Sequence, residues 1–411
     1  MGTVVQNKAA VELKGAARTF VQLLNDSVTD ATIVFVIDGS EYVAGRRSGS
    51  ARHLPDAVTV TVHRDRMFDR VLGEANLGLA ESYMDGDWDM AEGEVADFLT
   101  ILLRNRLNRK IRKDWRLIRN VLGIRLANAL RGKEGNIHKH YDVGVDLFDS
   151  CLDSTMSYSC GYANSPDDRL EQLQLNKLDR ICRKLRLEKG ERVLDIGCGF
   201  GGLLIYAAQN YGISGVGVTL SKVHCERASQ RVRETGLDGK VRIEYMDFNS
   251  VQGDFDKVVS VGMFEHVARR EYKNYFGTIA RVLQPSGMGL VHAIGCGTFR
   301  NEHDPFTQKY IFPDSNQPQL SEMAHHLEQN RLAILDVENM KPHYAYTARG
   351  WLRLFRKNKH TLDQRKYDLQ FQRMWEYYLA CAIAASQASD GALYQVLFTK
   401  DYTAPMPLHR V

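Results

Sequence analysis

Apolar residues fall at helical spacing over about residues 9–25, where Ala, Val, Leu and Phe share one face. The period then changes. Ile33-Val34-Phe35-Val36-Ile37 is a short apolar run closed by Asp38-Gly39, and Val58-Thr59-Val60-Thr61-Val62 alternates, so both read as strands. Helical segments follow to about residue 130, broken at Gly86-Asp87. This predicts a small α+β domain at the front of the chain.

From about residue 188 the pattern alternates strand and helix. Strands are predicted at 192–196, 215–220, 241–245, 256–261, 289–294, 333–337 and 393–398, with helices over 203–211 and to about 235. Such alternation predicts an α/β fold with an open, mostly parallel Rossmann-like sheet, which binds ligands at the carboxyl ends of its strands. The expected domains are 1–105 (N-terminal, lipid- or membrane-associated), 106–140 (a basic amphipathic connector) and 141–411 (catalytic). No internal repeat or low-complexity tract interrupts them, and nine prolines in the whole chain leave no proline-rich linker.

Composition narrows the class. At 411 residues, 44% hydrophobic and 25% charged, the chain matches an ordinary globular protein rather than a disordered or fibrous one. No apolar run approaches the ~18 residues of a membrane span. The first residues, Met1-Gly2-Thr3-Val4-Val5-Gln6, resemble neither a signal peptide nor a myristoylation signal. Seven cysteines without a CxxC pair argue against a disulfide framework or a zinc ribbon, and no metal site is expected. A reducing cytoplasm fits.

The net charge of +4 hides an uneven distribution. Between Arg104 and His140 twelve Lys and Arg face only Asp114 and Glu134, and Trp115, Leu117 and Ile118 lie among them. That composition suits either a helix between domains or an anionic membrane surface. No nucleic-acid recognition motif accompanies the charge, so no nucleic-acid partner is expected.

Candidate chemistry begins at Asp195-x-Gly197-x-Gly199-x-Gly201, between a predicted strand and a predicted helix. Glycines there permit a tight turn and a close ligand. The spacing differs from the dinucleotide fingerprint, and an acid stands two residues before the first glycine. The loop resembles motif I of class I S-adenosylmethionine (SAM)-dependent methyltransferases. In them the acid takes the ammonium of the cofactor, and an acid after the third strand, here Asp247 with Phe248 beside it, meets the adenine.

Four further motifs extend the resemblance: Tyr158-Ser159-Cys160-Gly161-Tyr162, Val261-Gly262-Met263-Phe264-Glu265-His266-Val267, His292-Ala293-Ile294, and His343-Tyr344-x-x-Thr347-x-x-x-Trp351. With Gly78-Leu79-Ala80-Glu81-Ser82-Tyr83-Met84-Asp85-Gly86-Asp87-Trp88 near the front, the chain resembles the cyclopropane-fatty-acyl-phospholipid synthases from about residue 33 to 398. The resemblance implies methyl transfer from SAM to a cis alkene of a membrane phospholipid. Deprotonation of the new methyl group by a bound bicarbonate and ring closure would follow. It assigns the bicarbonate to Cys160, Glu265, His292, Ile294 and Tyr344, with Cys160 and Ile294 acting through backbone atoms. Tyr158 and Ser159 are expected at the cofactor's carboxylate, and Thr219, Leu220 and Ser221 at its ribose and methionine portion. His224 stands where the family carries Gln, Val145 replaces an Asn, and Phe200 replaces a Trp. The family's cysteine in the last helix aligns with Ala382, so Cys381 receives no catalytic role. Phe299, Phe306, Tyr310, Ile311 and Phe312 are expected to line an acyl pocket.

Read singly, each candidate has an ordinary explanation. Glu265 could be a helix-terminal acid, His292 a satisfied core histidine, Tyr344 a buried tyrosine and Cys160 a small core residue. Their joint occurrence in the motifs favours the functional reading. Three alternatives stay open: methyl or methylene branching of an unsaturated chain, amine N-methylation, and a non-catalytic lipid binder that keeps the fold. By resemblance the protein would be a peripheral protein of the inner membrane face and a homodimer.

Overall fold

The computed structural model describes residues 12–46, 55–107, 144–298, 304–313 and 315–403. They form two compact units. The first comprises Met1–Tyr141, Asp304–Ile311 and Gln364–Ser389; the second comprises Asp142–His303, Phe312–Asp363 and Asp390–Val411.

The first unit holds a four-stranded sheet in the order β2-β1-β3-β4, from β1 (Thr32–Ile37), β2 (Ser40–Ala44), β3 (Ala57–Val62) and β4 (Trp88–Glu92). Strands β1 and β3 are parallel; the other two pairings are antiparallel. Ile33, Phe35 and Ile37 alternate inward along β1, and the Phe35 ring sits 6.1 Å from Phe20 and 6.0 Å from Phe68. The turn before β4 is fixed by charge. Asp87 is fully buried and accepts hydrogen bonds from Arg64 at 3.1 Å and from Arg66 at 2.9 Å, with Arg70 at 3.4 Å.

Two late segments complete this unit. The helix Leu369–Ala388 buries residues all round, as an apolar helix must, and packs on the helices Val95–Arg104 and Asn76–Met84. Tyr377 donates to Asn76 at 2.7 Å, and the Arg373 guanidinium lies 4.0 Å from the Tyr83 ring centre. The short helix Pro305–Tyr310 brings Lys309 to 2.5 Å and the Tyr310 hydroxyl to 2.9 Å from the buried Glu81. These segments differ from the colinear expectation, which placed everything after residue 141 in one domain. Chain order carries no information about which core an apolar helix joins. Phe306 and Tyr310 accordingly pack within this unit, Phe306 against Tyr377, while Phe312 in the second unit meets His266 edge-on at 5.4 Å.

The second unit is a seven-stranded sheet in the order β10-β11-β9-β8-β5-β6-β7. Its strands are β5 (Arg192–Ile196), β6 (Ser214–Thr219), β7 (Val241–Tyr245), β8 (Phe255–Val261), β9 (Leu283–Cys296), β10 (Ala333–Asn339) and β11 (Gly391–Thr399). Only β11 runs against the rest, inserted between β9 and β10. Helices Gly202–Tyr211 and Lys222–Glu234 provide the crossovers from β5 to β6 and from β6 to β7. The predicted α/β sheet is thus observed, with β5, β6, β8 and β9 side by side. Most of the basic connector, from residue 108 on, lies outside the described residues, as does Phe299. Among the described residues no helix is long and apolar enough to cross a membrane.

Candidate active site

The carboxyl ends of β5, β6 and β8 open on a cavity of about 230 Å3. The loop after β5 makes its floor. Gly197 has φ of 78°, a left-handed conformation, and a Cβ there would stand 2.4 Å from Met263 Cγ. A side chain is therefore excluded on two grounds. Gly199 also lines the cavity, while Gly201 starts the next helix behind it. Tyr158, Ser159, Asp195, Thr219 and His224 line the space as well. Leu220, Ser221, Asp247 and Phe248 do not. Ser221 caps the following helix through the His224 backbone N–H, Asp247 caps a turn through Asn249, and Phe248 packs on Tyr275. Leu220 is 63% exposed.

Asp195, the penultimate residue of β5, is buried and has one carboxylate oxygen without a hydrogen-bond partner. Burial pushes its carboxyl up to about 7, against the opposing pull of Lys177. Lys177 is itself fully buried on the cavity wall and donates to the Ser159 hydroxyl at 3.1 Å. Burial lowers its ammonium to about 8, offset by Asp153, Cys160 and Asp195. The cavity wall therefore holds a buried cation and a buried acid. The ring of His224 leans on Phe200 at 4.5 Å, and burial lowers its pKa.

A second group of residues gathers deeper in the unit. Cys160 packs with Met340 and Leu393, and Ile294, Tyr344 and Tyr162 border the same small cluster. Glu265 sits on the turn Phe264–His266 after β8, and its Oε1 accepts from the Ile294 backbone N–H at 3.3 Å. Its Oε2 is buried without a partner, and burial pushes the carboxyl up to about 7. His292 lies two residues before Ile294 on β9, so the two side chains share a face. Its Nδ1 meets the Gln395 amide nitrogen at 3.1 Å, and its Nε2 is buried without a partner. Burial, with help from Lys177 and Lys184, lowers the imidazole to about 3, so the ring is neutral. The Cys160 thiol is pushed up to about 12 by burial and is not a thiolate nucleophile. An aromatic path joins both places: Tyr158 lies 5.1 Å from Trp351, which lies 6.0 Å from Tyr344. Neither Glu265 nor His292 lines the cavity, but Met263 and His266, which flank Glu265 in sequence, and Ser159, beside Cys160, do.

Sequence reasoning missed Lys177, Lys184 and Gln395. A signal existed for the lysines. The helix Leu170–Lys184 buries Leu170, Leu173, Gln174, Lys177, Ile181 and Lys184, so the lysines occupy positions of the apolar stripe. Cys381, given no role, lies in the first unit near Asn76.

Comparison with known proteins agrees with this architecture. The sequence profile described as mycolic acid cyclopropane synthetase matches residues 129–396. The chain is 38% identical over 356 residues to the cyclopropane-fatty-acyl-phospholipid synthase of Escherichia coli, covering 86% of this chain and 91% of that protein. It is 32% identical over 371 residues to a tuberculostearic acid methyltransferase of Mycobacterium tuberculosis, with 86% of each chain covered. A crystal structure of a mycolic acid cyclopropane synthase complexed with SAH and CTAB superposes with a TM-score of 0.57 at 27% identity, over 64% of this chain and 96% of that one. With the profile spanning more than half of the chain, and a relative matched nearly end to end, the chain belongs to the mycolic acid cyclopropane synthetase family.

Proposed function

We propose that the protein converts cis-unsaturated acyl chains of membrane phospholipids into cyclopropanes, using SAM as the one-carbon donor and a bound bicarbonate as the base. The observation that carries the reading is three buried polar atoms without partners: Asp195 Oδ1, Glu265 Oε2 and His292 Nε2. An orphaned buried group costs ~1–3 kcal/mol, so a ligand that meets these three atoms is favoured. The first suits the ammonium of SAM. The other two, one on a carboxyl and one on a neutral imidazole, suit a small anion that both donates and accepts. Bicarbonate is such an anion, and when bound it would supply the base for the new methyl group's proton.

The chain's own residues divide the work. Asp195 holds the methionine end of the cofactor, beside Tyr158 and Ser159, with Thr219 and His224 across the cavity. Leu220, Ser221, Gly197, Gly199 and Gly201 shape the surrounding turns, and Asp247 with Phe248 stands at the adenine end. Glu265, His292 and Tyr344, with the backbone at Cys160 and Ile294, hold the anion. Attack by the weakly nucleophilic alkene leaves positive charge on the acyl chain. The rings of Tyr344, Trp351 and Tyr158 offer it π faces while excluding water. In-line positioning of methyl and alkene contributes up to ~7–11 kcal/mol. Substrate in the bilayer and the basic segment at 106–140 support a peripheral place on the anionic inner membrane face. The homodimer expected by resemblance belongs to the same reading.

The test is lipid mass spectrometry after incubation with methyl-labelled SAM, bicarbonate and vesicles of cis-unsaturated phospholipid. Addition of one CH2 to the acyl chain, with loss of olefinic NMR signal and ring protons present, is expected. No acyl product, with cofactor bound, would overturn the reading. A second reading is a methyl or methylene branch, favoured by the likeness to a tuberculostearic acid methyltransferase and by Val145 at the family's Asn position. The same spectra separate it, since a branch shows no ring protons. An amine substrate has no need of the bicarbonate set, and a non-catalytic lipid binder has no use for the cofactor cavity.

A further inference from the structure

The imidazole of His292 is held in one tautomer by a chain of groups that begins two strands away. Lys184 Nζ donates to Glu338 Oε2 at 2.6 Å and to Gln395 Oε1 at 2.8 Å. An ammonium has donors only, so the amide oxygen of Gln395 must face it. The amide nitrogen then faces His292 Nδ1, 3.1 Å away. That nitrogen can only donate, so Nδ1 must accept. A neutral ring with Nδ1 accepting carries its proton on Nε2, the buried atom that has no partner. The orientation follows from the donor inventory of each group.

The support behind Lys184 is equally fixed. Glu338 also receives Arg180, through Nε at 3.1 Å and Nη2 at 2.8 Å, and Asp336 stands 3.5 Å from the ammonium. Gln395 is fully buried and faces His292 directly in the β11–β9 register. Water therefore has no place from which to reorient the amide.

We propose that Gln395 is a positioning residue for His292, itself oriented by Lys184 on Glu338, and that this relay presents Nε2–H as a fixed donor to a small oxyanion. The inference rests on the reading of His292 as an anion ligand. Its consequence is directional. His292 contributes a donor, so a bicarbonate at this site has an oxygen lone pair toward His292 and its hydroxyl free to donate toward Glu265 Oε2. A ring with its proton on Nδ1 would present a lone pair to that oxygen and repel the anion.

Nitrogen-15 spectra of histidine-labelled protein read the tautomer without turnover, with the His292 signals identified by their loss in His292→Gln. The wild type should show Nε2 protonated and Nδ1 bare, and the reverse would overturn the proposal. Gln395→Leu and Lys184→Met should mix the tautomers and raise the bicarbonate concentration for half-maximal rate by about tenfold or more, the usual cost of losing an orienting partner. SAM affinity should stay unchanged, and Lys184→Arg, which keeps the donors, should behave as wild type. A half-saturation unchanged in Gln395→Leu would sink the idea, as would a parallel loss of SAM affinity and thermal stability, the mark of a purely structural role. Should Gln395→Leu fail to fold, the wild-type spectrum and the Lys184 pair decide. If His292→Gln leaves the bicarbonate response intact, the anion-ligand reading fails. If only Gln395→Leu leaves it intact, the relay alone fails.

Discussion

One oxygen of the Glu265 carboxylate is tied to the backbone N–H of Ile294 at 3.3 Å, and the other is buried with nothing to bond. The first contact fixes the group on the edge of β9, and the second leaves it a single task. Glu265→Gln keeps the shape and exchanges a proton-sharing oxygen for a donor or a fixed amide. Turnover should fall by about two orders of magnitude, as when one electrostatic partner of a reacting centre is removed. SAM affinity, measured by calorimetry, should change less than about threefold. An equal fall in both would remove Glu265 from the anion site.

Asp195 ties cofactor binding to a cost in stability. Its pKa is raised by burial from 3.8 to about 7, so the folded protein holds a proton that the unfolded chain has lost. Stability from this residue is therefore intact below about pH 3.8 and is lost as pH rises to about 7. Asp195→Asn should raise the melting temperature of the cofactor-free protein at pH 8 and change it little near pH 4. The same variant should bind SAM at least about a hundredfold more weakly, because a buried charge-assisted contact is gone. Thermal melts at the two pH values and one titration check both statements.

Lys177 keeps that acid usable. The buried ammonium pulls the Asp195 pKa down against desolvation. Lys177→Met should push Asp195 further up, leaving less carboxylate at neutral pH. SAM affinity near pH 7 should fall by about tenfold for each pKa unit gained and recover as pH is raised toward 8.5. Affinity that is low at every pH would mean that Lys177 contacts the cofactor itself.

In the first unit, Asp87 is the buried acceptor for Arg64, Arg66 and Arg70. Arg64 and Arg66 are more than half exposed, so their pairs contribute little, while Arg70 is 21% exposed and well desolvated. Arg70 keeps Asp85 at 2.7 Å and Glu81 at 3.4 Å, so Asp87→Asn strands no cation and should destabilise this unit by no more than about 1 kcal/mol, read from urea unfolding.

Neutralising Arg109, Lys110, Arg112 and Lys113 should weaken binding to anionic vesicles by at least about tenfold at low salt, at ~1 kcal/mol for each charge near the surface. The difference should shrink as salt is raised. Vesicle binding that does not respond would leave the segment no role at the membrane.

Much of the second unit was legible in the sequence because its strands are short apolar runs separated by helical spacing. The strands at 192–196 and 241–245 were anticipated to the residue. Strands β2 and β4 were not. Ser40–Ala44 has only Tyr42, Val43 and Ala44 as apolar residues, and Trp88–Glu92 has two acids, so neither shows a clear alternation. The motif residues were visible because each stands in a short sequence pattern of its own. Gln395 and Lys184 were not, since each matters through a partner more than a hundred residues away. Leu220 and Ser221 follow β6 as expected but turn away from the cavity, because the helix start uses Ser221 as its cap.

The placement of β11 has a bearing on how the chain is made. Residues 391–399 fill the gap between β9 and β10, and residues 364–389 just before them finish the first unit. Until residues 364–399 have left the ribosome, neither core is closed, and β9 and β10 lack the strand that joins them. The nascent polypeptide thus carries its SAM-binding loop long before it holds the glutamine that sets His292. The chemistry can switch on only after residue 395 has been made and β11 has taken its place between β9 and β10.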